Sequence, residues 1–143
     1  MLAEKKSARI LIAEDDDDYF ALTEMIIKDD LADIELRRFS DGQELMDYLL
    51  SREKDTIPEL ILMDLNMPRK NGHEALAEIR NTPGLRKIPV VMLSVSTDMQ
   101  DIIRSYELGA NSFVTKPFDM NQLAGVFKTF KQYWFKSVRL PVG

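Results

Sequence analysis

Three unbroken apolar runs, Ile10–Leu11–Ile12–Ala13, Leu60–Ile61–Leu62–Met63 and Val90–Val91–Met92–Leu93, punctuate the chain. They are too short for helices and have no polar face, the pattern of strands buried on both sides of a sheet. Ser112–Phe113–Val114–Thr115 predicts a further short strand, and Ile34–Phe39, where apolar and charged residues alternate, a strand nearer the sheet edge. Between the strands the spacing becomes helical. Tyr19, Leu22, Met25 and Ile26 mark a helix from about Asp17, and Leu45, Met46, Leu49 and Leu50 a second. Leu76, Ile79 and Arg80 mark a third, and Ile102, Ile103 and Tyr106 lie on one side of a fourth, capped by Asp98. A fifth begins at Asp119, with Leu123, Val126, Phe127, Phe130 and Trp134 on its inner stripe. Ser40–Asp41–Gly42, Pro68 to Gly72, Pro83–Gly84 and Gly109 supply the turns and helix ends. Strands alternating with helices predict an α/β fold, a parallel sheet covered on both faces through right-handed crossovers. The expected organisation is a flexible lead over residues 1–7, one domain over 8–135 and a tail over 136–143.

In a parallel sheet the C-terminal strand ends share one edge, where open α/β folds place their sites. Here those ends carry Glu14–Asp15–Asp16, Asp64, Ser94 and Lys116. Glu14–Asp15–Asp16 alone reads equally well as a solvated acidic loop opening a helix; with Asp64 at a second strand end, a divalent-cation site is favoured. Mg2+ prefers oxygen ligands. Asp15 and Asp64 are then direct ligands, the backbone carbonyl of Asn66 a third, and Glu14 holds a metal-bound water. Asp64 is the expected nucleophile toward a phosphoryl group, against the alternative of ordinary turn chemistry. Lys116, just before Pro117, is extended by its proline and is placed to reach the carboxylates or a phosphoryl oxygen; the Lys116–Pro117 bond is a candidate for cis. Ser94 is a donor to the phosphoryl group or a simple strand cap.

Composition narrows the chemistry. The 143 residues suffice for one core, and a net charge of −5 argues against nucleic-acid binding. The lack of cysteine and the single histidine, His73, exclude thiolate metal sites and histidine triads. No run reaches membrane-spanning length and the start has no signal-peptide core, so a cytoplasmic location with no membrane contact is expected.

The segments Ile10–Asp15, Leu62–Gly72, Val90–Ser94 and Gly109–Phe118 together resemble the bacterial response-regulator receiver family over about residues 8–135. The resemblance implies a flavodoxin-like (βα)5 sandwich with strand order 2-1-3-4-5 and a two-component phosphorelay. It implies Asp64 as phosphoacceptor, Glu14 and Asp15 serving Mg2+, Ser94 and Lys116 binding the phosphoryl group, and Phe113 with Ser94 as the switch. It also implies a protein that catalyses only its own phosphorylation and dephosphorylation, not a metabolic enzyme. Two residues depart from the common pattern: Val95, branched, follows the switch hydroxyl, and Glu14 stands where aspartate is frequent.

Pro68–Arg69–Lys70–Asn71–Gly72 and the ending Phe130–Phe135 with Val138–Pro141 resemble the stand-alone receivers that partner bacterial phytochromes. That implies a phytochrome-type histidine kinase as partner, and a homodimer through the face of the fourth helix, fifth strand and fifth helix. Residues 133–135 cannot all face inward from one helix, so a large ring there is expected to be exposed or to meet a partner, with Phe130 and Trp134 finishing the core. A dehalogenase-type phosphatase is disfavoured because Asn66 stands where its second acid is needed. The remaining alternative is a receiver-like module that binds protein independently of phosphorylation.

Overall fold

The computed structural model describes residues 8–51 and 57–134. Five strands, β1 (Ala8–Ala13), β2 (Ile34–Phe39), β3 (Leu60–Met63), β4 (Val90–Ser94) and β5 (Ser112–Thr115), form one parallel sheet in the order β2-β1-β3-β4-β5. Helices α1 (Asp17–Asp30), α2 (Gly42–Ser51), α3 (Gly72–Asn81), α4 (Met99–Glu107) and α5 (Met120–Gln132) alternate with them. This is the (βα)5 flavodoxin-like fold that the family resemblance implies.

Strand alternation divides the core. Leu11, Ala13, Ile61, Met63, Val90 and Met92 pack toward α2 and α3. Ile10, Ile12, Leu60, Leu62, Val91 and Leu93 pack toward α1 and α5, against Tyr19, Ile26, Ile27, Leu123, Phe127 and Phe130. With both faces covered the central strands have no polar side, which is why they read as continuous apolar runs. β2 keeps the alternating pattern because it lies at the edge of the sheet.

Several expectations are corrected. Met25 and Leu50 are exposed, at 53% and 58%. Met25 lies about 240° round the helix from the buried Tyr19 at 100° per residue; Thr23 and Ile27 complete the inner stripe with Tyr19 and Ile26. On α4 the side marked by Ile103 and Tyr106 is the exposed one, and Ser105 is buried. β3 is the apolar run Leu60–Met63 itself, whereas β4 runs one residue past its apolar run, to Ser94. The described residues contain no cis peptide bond, so Lys116–Pro117 is trans. Other expectations hold: Phe130 and Trp134 are buried, and Tyr133 carries the exposed ring, edge-on to Trp134 at 5.0 Å between centroids. The lead 1–7, Phe135 and the tail 136–143 lie outside the described residues.

Gly72 ties the helix layer to the functional edge. Its N–H donates to Leu65 O at 2.9 Å, and a Cβ there would stand 2.3 Å from Asp64 O and 3.0 Å from Leu65 Cα. Backbone cannot yield as a side chain does. Gly72→Ala is therefore expected to cost about 3 kcal/mol in urea unfolding and to displace Asp64; stability within 0.5 kcal/mol of wild type would contradict this close approach.

Candidate functional site

The ladders continue one residue beyond the strands and so set the site. Glu14 N donates to Phe39 O at 2.9 Å, Asp64 N to Ala13 O at 3.0 Å, and Lys116 N to Ser94 O at 2.8 Å. These bonds hold Glu14, Asp64 and Lys116 at the sheet's C-terminal edge, at 1%, 7% and 8% exposure. Lys116 Nζ lies 2.7 Å from Glu14 Oε1 and 3.3 Å from Asp64 Oδ2. One carboxylate oxygen from each of Glu14, Asp15 and Asp64 falls within 4.8 Å of the others.

The acidic run after β1 divides its work. Asp15 joins the cluster. Asp16 caps α1, its Oδ1 accepting from Asp18 N at 2.9 Å and Tyr19 N at 3.1 Å. Asp17 Oδ1 meets Arg38 NH2 at 2.7 Å, an ion pair without an aligned hydrogen bond.

Burial makes these charges costly. It pushes the Glu14 carboxyl up to about 7, opposed by Lys116 and reinforced by the charge on Asp64. Burial likewise raises Asp64, with Lys116 opposing. Three clustered carboxylates, two of them buried and held above the ordinary carboxylate range, form a hard oxygen donor set that suits a divalent cation.

The shift has a sign for stability. Because the folded-state pKa of Glu14 is raised, its contribution is fully present below the unfolded value of 4.5 and is lost as pH rises through about 7. Melting in the presence of a chelator is expected to fall between pH 5 and pH 8, and Mg2+ added at pH 8 to recover part of the loss. A melting temperature that rises over that window in wild type but not in Glu14→Gln would contradict the buried-acid assignment.

Ser94, the last residue of β4, is fully buried, and its Oγ accepts from Ser96 N at 3.2 Å. Val95 beside it is exposed. Asn66 is exposed on the β3–α3 loop, two residues past Asp64. Phe113 is half-buried on β5 against the α2–α3 side of the core, and its N–H donates to the Tyr106 hydroxyl at 3.0 Å.

Two residues at this edge escape sequence reading. Arg38, near the end of β2, donates from Nε to Glu14 O at 2.9 Å and lies over the Phe20 ring. Its place on a strand ending at the same edge is the signal that finds it. Tyr19 reads as core by its spacing, yet its ring lies 4.5 Å beneath the Lys116 ammonium.

A five-stranded sheet in this order, with acids at the first and third strand ends and a buried lysine after the fifth, defines a phosphorelay receiver. The chain belongs to the response regulator receiver domain family, whose pattern matches residues 10–128. It is similar to response regulator Rcp1 of Synechocystis, 38% identical over 135 residues, covering 92% of each chain. The phosphorylated cyanobacterial phytochrome response regulator RcpA superposes with a TM-score of 0.85 at 36% identity, covering 94% of this chain and 98% of that one. The Mn2+-bound form of Rcp1 gives 0.81 at 36% identity, covering 94% and 99%. The protein is thus a receiver domain of a two-component system, a family that catalyses its own phosphorylation and dephosphorylation rather than metabolic turnover. No helix among the described residues is long and apolar enough to cross a membrane.

Proposed function

We propose that Asp64 accepts a phosphoryl group from a phytochrome-type histidine kinase, and that the protein signals from the cytoplasm by protein–protein contact. The observation that carries this reading is the buried ammonium of Lys116 set between Glu14 and Asp64, beside a third carboxylate from Asp15. The similarity to RcpA and Rcp1 supports the phytochrome link. The Mn2+-bound form of Rcp1 supports a divalent cation.

Asp15, Asp64 and the Asn66 carbonyl would hold Mg2+ directly, with Glu14 acting through a water. Bound there, Mg2+ offsets carboxylate repulsion and draws charge from the phosphoryl oxygens.

An Asp64 oxygen attacks phosphorus in line. The new O–P bond forms as the P–N bond of the kinase phosphohistidine breaks, and its electron pair leaves on the imidazole nitrogen. Lys116 neutralises the phosphoryl oxygens. Ser94 releases Ser96 N and turns its hydroxyl toward a phosphoryl oxygen, and Phe113 moves into the vacated space by packing alone. The face of α4, β5 and α5 changes shape, which shifts a population toward a homodimer. Residues 8–135 act as the receiver, with 136–143 as a partner or dimer contact.

Acetyl phosphate with Mg2+ is expected to add one phosphoryl group (~80 Da) to the intact mass, with a shift to a dimer on sizing chromatography. Labelling without any change in elution would overturn the phosphorylation-driven dimer. A protein that takes no label from acetyl phosphate or from a phytochrome kinase would overturn the phosphoacceptor reading.

A further inference from the structure

Tyr19 touches three consecutive residues of the β5–α5 loop. Its ring lies 4.5 Å from Lys116 Nζ, its hydroxyl donates to Pro117 O at 3.0 Å, and its ring meets Phe118 edge to face at 5.6 Å. Tyr19 is itself fixed from both sides: its N–H donates to the Asp16 cap at 3.1 Å, and its carbonyl accepts from Thr23 Oγ1 at 3.0 Å. The side chain is buried.

A lysine is a point charge on a flexible stem, so something must aim it. Glu14 and Asp64 do so together only while Asp64 is free. A phosphoryl group on Asp64 replaces the contact between Lys116 and Oδ2, and the ammonium must transfer to a phosphoryl oxygen. An aromatic face attracts a cation within about 6 Å whichever oxygen that cation bonds. The hydroxyl meanwhile pins the backbone immediately after Lys116.

We propose that Tyr19 is a positioning residue for Lys116: its ring carries the ammonium and its hydroxyl anchors Pro117, so that Lys116 stays aimed at the group on Asp64 throughout transfer. This rests on the phosphoacceptor reading of Asp64. With acetyl phosphate as donor, the step forms the Asp64 O–P bond and breaks the P–O bond to acetate, which leaves with the electron pair.

The test compares Tyr19→Phe and Tyr19→Leu, each in the wild-type and Lys116→Met backgrounds, by initial labelling rate with acetyl phosphate and Mg2+. Tyr19→Leu is expected to slow labelling about tenfold, and Tyr19→Phe, which keeps the ring, about threefold. With Met at position 116 the further loss is expected to be less than about twofold, since Tyr19 then has no ammonium to hold. A metal-independent signature accompanies the rates. The Lys116 Hε resonances, shielded by the ring, are expected to move downfield in Tyr19→Leu and to stay in Tyr19→Phe.

Equal slowing in both backgrounds would make Tyr19 merely structural and overturn the proposal. So would unchanged rates in Tyr19→Leu on a protein whose wild type labels normally. If Tyr19→Leu does not fold, Tyr19→Phe decides through its Lys116-dependent loss. Failure of the wild type to label overturns the Asp64 reading, and this proposal with it.

Discussion

Asp64→Asn is expected to abolish phosphoryl labelling while raising the melting temperature measured with a chelator at pH 8. The two effects share one cause. Asp64 lies at 7% exposure beside Glu14, and burial raises its pKa. Its ionisation therefore costs folding stability once pH exceeds the unfolded value of 3.8. The isosteric amide removes that cost, and Lys116 keeps its 2.7 Å contact with Glu14. The amide also offers no anionic oxygen to attack phosphorus. Stability gained with function lost is the mark of a site that stores like charges. Melting by calorimetry and intact mass on the same samples check both halves. A less stable Asp64→Asn protein at pH 8 would mean that the Lys116 contact at 3.3 Å outweighs burial.

Lys116→Met is expected to act in the opposite direction on stability. It leaves two buried carboxylates without the ammonium that bridges them, and breaking a buried pair in this way costs about 3–5 kcal/mol. The cost should be greatest at pH 8 and smaller at pH 5, where a proton on Glu14 replaces the missing charge. Mg2+ should recover part of it, because a cation among the same oxygens does the same electrostatic work. Labelling by acetyl phosphate should slow roughly 100-fold, the usual effect of removing one stabilising charge from a transition state. Chemical denaturation at the two pH values, with and without Mg2+, separates these contributions. A variant as stable as wild type at pH 8 would show that the carboxylates are not coupled through Lys116.

The parts of this fold that are legible in the sequence are those set by local pattern. β1, β3 and β4 are apolar without interruption because helices cover both sheet faces, and the residues that end them lie at one edge by topology alone. That is why the sequence alone brings Glu14, Asp64, Ser94 and Lys116 together. The helix stripes were less legible where an apolar residue lies off the inner face: Met25 and Leu50 are exposed although their residue type suggests core. The acidic run gave no sign of which acid would cap α1, since Asp16 and Asp15 differ only in where the chain turns. Tyr19 is the least legible residue of the site. Its spacing says core and it is indeed buried, but its hydroxyl partner lies 98 residues away, a contact that no local pattern encodes.

The most direct measurement of the central claim is the position of the phosphoryl group. Protein labelled with acetyl phosphate and Mg2+ is reduced with borohydride, which converts an aspartyl phosphate to homoserine, and is then digested and mapped by mass. The account predicts homoserine at position 64 and at no other acid, and none in Asp64→Asn. Homoserine at Asp15, or a label that survives Asp64→Asn, would contradict it.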